Sequence, residues 1–153
     1  HVRTLVAHEP PLALLLPDAE EARAGIQNLY DTYCQQGVSA AWERFSSFTG
    51  IDMGPPSAEA MATSERFFRH GLLPIALYEP DFSRLQSAST RVVAAGGTTS
   101  RGQFAQRGAE ALAARLGSSL VEFPGGHAGF ISDAKDFCAL LRLTLLPDAP
   151  DRP

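Results

Sequence analysis

Phe123-Pro124-Gly125-Gly126-His127-Ala128-Gly129-Phe130 is the stretch on which the reading of this chain turns. A short apolar run from Leu120 ends at Phe123, glycines follow, and a helix is expected to start at Ser132. Glycines at a strand end let the backbone turn sharply and leave the imidazole accessible, an arrangement suited to a general base. The plainer alternative is a surface loop in which His127 is incidental, and the rest of the chain has to separate the two.

Working back from this loop, the last third alternates. A strand over Arg91–Ala95 leads into the loop Gly96-Gly97-Thr98-Thr99-Ser100-Arg101-Gly102. A helix is expected over Gln103–Leu116, with Ala105, Ala109, Leu112, Ala113 and Leu116 on one face and Gly117 as its stop. A strand over Ser119–Phe123 precedes the His127 loop. The last helix should run over Ser132–Leu146, with Phe137, Leu140, Leu141 and Leu145 inward and Pro147 ending it. Strand–helix–strand–helix at these lengths implies a right-handed parallel crossover and an α/β fold class.

At the other end, residues 2–7 read as a buried strand, stopped by Pro10 and Pro11. Glu9 then stands just past a strand's carboxyl end, where open α/β sheets place their ligands. His8 is expected to point to the other side and to pack or hydrogen-bond. Between these regions lie helices. Asp18 and Glu21 have capping-box spacing, Ala22, Ile26, Leu29, Tyr30 and Tyr33 recur at helical period, and Gly37 ends that helix. A second helix carries Val38, Ala41, Trp42, Phe45 and Phe48. Residues 50–56 read as a loop. Ser57 caps a third helix bearing Met61, Phe67 and Phe68, helix continues past Pro74, and Asp81 caps a short helix over Phe82–Gln86.

Composition narrows the function classes. The chain has 153 residues, is 44% apolar and 20% charged, and has a net charge of −4 with the charges dispersed. That suits one globular domain and offers no basic stripe for nucleic acid or an anionic membrane. Its apolar runs are too short to span a bilayer. Cys34 and Cys138, far apart and without a Cys/His cluster, read as buried free thiols of a reducing, cytoplasmic compartment, with no zinc site.

Three blocks carry a resemblance: Arg3-Thr4-Leu5-Val6-Ala7-His8-Glu9-Pro10-Pro11, Arg91-Val92-Val93-Ala94-Ala95-Gly96-Gly97, and the His127 loop. Together they resemble the carboxyl-terminal half of an α/β-hydrolase: the strand after the nucleophile helix, the next-to-last strand, and the last strand with its catalytic-histidine loop. The resemblance implies part of a three-layer sandwich, with residues 1–17 and 72–147 in the core, a helical cap over 18–71 and a flexible tail over 148–153. His127 would be the general base and Glu9 the acid that orients it. Asp81 is a weaker acid candidate, better explained as a cap. Tyr30, Tyr33, Trp42, Phe45, Phe67 and Phe68 would line a pocket for a small hydrophobic ester or lactone, although helix packing also accounts for them. No metal or organic cofactor is implied.

Two departures accompany the resemblance. No G-x-S-x-G elbow occurs; Thr98-Thr99-Ser100-Arg101-Gly102 comes nearest, and Thr98–Ser100 are better explained as caps of the following helix. The loop after Arg91–Ala95 also has no carboxylate, which moves the acid to Glu9. The expectation is therefore a nucleophile upstream of His1, in a missing segment or separate chain, which also supplies the oxyanion hole. Without that partner the edge of the first strand should make the chain self-associate or fail to form a stable monomer. The alternatives are a non-catalytic binding member of the fold, or a dehalogenase or epoxide-hydrolase relative with an upstream Asp. Phosphate binding at Gly96–Gly102 lacks the Walker and G-x-G-x-x-G spacings.

Overall fold

The computed structural model describes residues 2–50 and 57–146. Most of the 50–56 loop, Pro147 and the 148–153 tail lie outside the described residues. Three strands, β1 (Thr4–His8), β2 (Arg91–Gly97) and β3 (Val121–Phe123), form one sheet in the order β1-β2-β3, with both pairings parallel. Residue 8 belongs to β1, and β2 runs two residues further than its apolar stretch suggests, because Gly96 and Gly97 pair with Glu122 and Phe123 of β3.

Side-chain alternation sorts the strands between two helical layers. Ala7, Ala94 and Leu120 pack with Leu112 and Ala113 of α6 (Phe104–Leu116) on one face. Val6, Ala95, Val121 and Phe123 pack with Phe137, Leu140 and Leu141 of α8 (Ala134–Leu145) on the other. The small Ala94 and Ala95, both fully buried, let the helices approach the sheet. At Gly108 of α6 a β-carbon would stand 2.3 Å from the Pro10 carbonyl oxygen, so a bare backbone here lets α6 pass against the turn that follows Glu9.

The segment between β1 and β2 is a helical layer: α1 (Ala19–Gln36), α2 (Val38–Thr49), α3 (Ala58–Arg66), a π-turn over Phe67–Gly71, α4 (Leu72–Ala76) and α5 (Phe82–Ser87). Ala22, Ile26, Leu29 and Tyr33 of α1 meet Ala41, Phe68, Leu72 and Ala76 in one apolar cluster. Ser57 accepts from Ala60 N–H at 3.2 Å and Asp81 from Arg84 N–H at 3.0 Å, both as expected N-caps.

Several expectations need correction. Asp18 stands at the N-cap of α1 but makes no side-chain cap bond; its carboxylate pairs with Arg107, which holds it below the usual Asp range. Thr98–Ser100 do not cap α6, whose N-cap is Gln103. The last helix is divided into α7 (Gly129–Ser132) and α8, and Leu145 is 45% exposed because it lies about 80° from Phe137 around the helix. Cys34 and Cys138 are exposed, one residue beyond buried Tyr33 and Phe137 and thus turned away from the apolar stripe. No helix among the described residues is long and apolar enough to cross a membrane.

Candidate active site

The site is built at the carboxyl ends of the three strands. Glu9 follows β1 directly, and its backbone has φ +46°, in the left-handed region. That conformation costs a non-glycine residue roughly 1–2 kcal/mol. The surroundings hold it there: Glu9 N–H donates to the Ala95 carbonyl at 2.8 Å, and Pro10 follows immediately. The kink turns the Glu9 side chain over the end of β2, where it is 1% exposed.

A buried carboxylate needs donors, and Glu9 has three. Its Oε1 accepts from Gly97 N–H at 2.7 Å and from the Ser100 hydroxyl; its Oε2 meets His127 Nδ1 at 3.1 Å. Burial by itself would raise the pKa of this carboxyl. The hydrogen bonds from His127, Ser100 and Gly97, together with attraction to the imidazole, outweigh burial and hold it below the usual Glu range. An ionised carboxylate only accepts, so Nδ1 of His127 carries the proton. In a neutral imidazole this leaves Nε2 as the free lone pair. The His127 side chain is 37% exposed, against 0% for Glu9, so the pair has one sealed end and one open end.

The His127 loop is pinned to the loop after β2. Thr98 N–H donates to the Phe123 carbonyl at 2.9 Å and Thr99 N–H to the Gly125 carbonyl at 3.0 Å. At Gly97 a β-carbon would stand 2.5 Å from Gly125 O and 2.7 Å from Gly126 Cα. Gly97 is therefore glycine because the two loops touch there, and its backbone N–H also donates to Glu9. Ser100, 1% exposed and bonded to Glu9, is a support of the carboxylate rather than an accessible nucleophile. Sequence reasoning missed the parts of Gly97 and Ser100. The double glycine at the strand end was the available signal, but which carboxylate it met depended on the pairing of β1 with β2.

The remaining expected residues sit elsewhere. Asp81 caps α5. His8 lies on the α8 face of β1, with its ring edge-on to Phe123 and Phe137. Phe68 is fully buried and Tyr33 nearly so, stacked on each other within the helical layer. Tyr30 packs partly buried at the border of that cluster. Trp42, Phe45 and Phe67 line an open, mostly apolar cleft of about 650 Å³ with Ala60 and Thr63; neither Glu9 nor His127 borders it. Among the described residues, no group of three His, Cys, Asp or Glu side chains is placed to hold a metal ion.

No family model matches the chain. Half of the chain, 81 residues, is 36% identical to a protein of Bacillus subtilis (strain 168) named Uncharacterized hydrolase YraK. The match spans 30% of that relative's own length.

Proposed function

We propose that this chain is the base-and-acid part of an α/β-hydrolase acting on a small hydrophobic ester or lactone. The observation that carries the reading is the Glu9–His127 contact at the carboxyl ends of parallel strands: a sealed, ionised carboxylate on Nδ1 and an open Nε2. Partial likeness to a protein named as a hydrolase supports the same class.

In this reading His127 Nε2 takes the proton of a nucleophilic hydroxyl as that oxygen attacks the ester carbonyl. It returns the proton to the leaving alcohol, then repeats the exchange with water to release the acid. Glu9 fixes the tautomer, holds the ring in place and stabilises the imidazolium without taking its proton. Ser100 and Gly97 keep Glu9 ionised and aimed. The nucleophile and oxyanion donors belong to a further segment docked along β1, whose outer edge has no strand partner among the described residues and whose Leu5 is 46% exposed. The helices over 18–71 serve as the cap.

The test is hydrolysis of short-chain aryl esters by the protein joined with that segment. His127→Ala should lower kcat by about a thousandfold or more. Undiminished turnover by that variant would remove His127 from the chemistry.

A further inference from the structure

His8 serves as a packed ring at the end of β1, and its second nitrogen takes no part. Its Nε2 is buried and, among the described residues, has no hydrogen-bond partner. A polar atom left in this state costs about 1–3 kcal/mol, so a phenylalanine of similar size would pack at lower cost. The ring stands 5.6 Å from Phe123 and 5.0 Å from Phe137, edge-on to both. Those two rings are themselves 4.7 Å apart. Phe123 is the last residue of β3, four before His127. Phe137 lies on α8, against Gly129 and Phe130 on the far side of the same loop. His8 is also the residue directly before Glu9, where the backbone kinks at φ +46°. One side chain thus joins the strand that carries the carboxylate to both elements that bracket the imidazole.

We propose that His8 is a positioning residue for the Glu9–His127 pair, its ring packed against the touching rings of Phe123 and Phe137 so that the end of β1 and the His127 loop keep one fixed separation. This rests on the reading of Glu9 and His127 given above, but it is tested apart from turnover. A histidine whose Nδ1–H donates to a carboxylate gives a strongly downfield proton resonance, which reports the Glu9–His127 bond directly. In His8→Ala and His8→Leu that resonance should weaken or vanish in protein that is still folded by circular dichroism, and in His8→Phe it should remain. Phe137→Leu removes the same ring contact from the other side and should act like His8→Leu. With short-chain aryl esters, His8→Leu should lower kcat about tenfold or more while KM stays within about twofold, with turnover restored in His8→Phe.

A residue that only stabilises the fold would lower the melting temperature and leave the resonance and kcat as in the wild type; that result in His8→Leu and Phe137→Leu overturns the proposal. If His8→Ala does not fold, those two variants decide. If the wild-type protein joined with the nucleophile-bearing segment shows the resonance but hydrolyses no ester, the hydrolase reading fails, and the resonance in the His8 variants still decides the positioning role. If the wild-type protein shows no such resonance, the pair itself is absent and both fall.

Discussion

The strand-end site and the helical layer between β1 and β2 are held together in opposite ways. At the site, one carboxylate depends on three named donors, two from the turn after β2 and one from the loop after β3. In the helical layer, ten buried side chains, among them Ile26, Leu29, Phe68 and Leu72, share one apolar cluster with Phe104 of α6, and further rings pack around it. Directional bonds between few partners fail singly, whereas apolar contacts among many partners fail gradually. The site should therefore lose chemistry before it loses stability, and the helical layer should do the reverse.

The largest expected effect breaks the site alone. Glu9→Ala removes the acceptor of His127, Ser100 and Gly97 together and should lower ester turnover by about 10³–10⁴. Glu9→Gln, which keeps the shape, should also be impaired because it stabilises no imidazolium. Wild-type turnover in Glu9→Gln would mean that Glu9 only supports the fold. Phe68→Ala makes the converse cut: it should cost about 3–5 kcal/mol in denaturant unfolding. Below its melting point kcat should change little; a loss of kcat as large as that of Glu9→Ala would erase the contrast. Gly97→Ala lies between them. Its methyl would push the Gly125–Gly126 turn from β2 and move His127, which should lower kcat by about a hundredfold for a displacement near 1 Å.

Acidity sharpens the comparison further. Glu9 is held below the ordinary value of 4.5, so its stabilising bonds are complete above that pH and are lost as the pH falls through its folded value. His8 is held below 6.5: burial lowers it, Glu9 raises it and His127 lowers it. The unfolded chain then takes up a proton first, and stability declines as the pH falls below about 6.5. Denaturant titrations should show His8→Phe flattening the decline just below pH 6.5, and Glu9→Gln flattening the one below pH 4.5. A common change in both windows for either variant would contradict the separate origins. The smallest effect belongs to the surface: the Arg101–Glu122 pair is largely solvated, so Arg101→Ala should shift stability by less than about 1 kcal/mol.

The helical layer was legible because its signals are local. Ala22, Ile26, Leu29 and Tyr33 repeat at the helical period whatever the chain does elsewhere, and Ser57 and Asp81 cap the turns they begin. Where a cap had a rival the local rule failed: Asp18 pairs with Arg107, 89 residues away, and Ser100 pairs with Glu9, 91 residues away. The cysteines failed for a finer reason. A helical period places a stripe only to within one residue, and Cys34 and Cys138 lie one step outside it.

The order of strands and helices, the turn after β1 and the Gly-rich loop bearing His127 follow from the sequence by itself, since apolar period, proline and glycine act over a few residues. Which carboxylate meets the imidazole could be read only as a resemblance; the contact exists because parallel pairing sets His8 opposite Ala95 and leaves Glu9 to turn over Gly97. The donors to that carboxylate, the packing of His8 against Phe123 and Phe137 and the close contact of the two loops are decided by tertiary structure alone. Hydrogen bonds and ring contacts depend on distances between segments far apart in the chain, and only the assembled sheet fixes those distances.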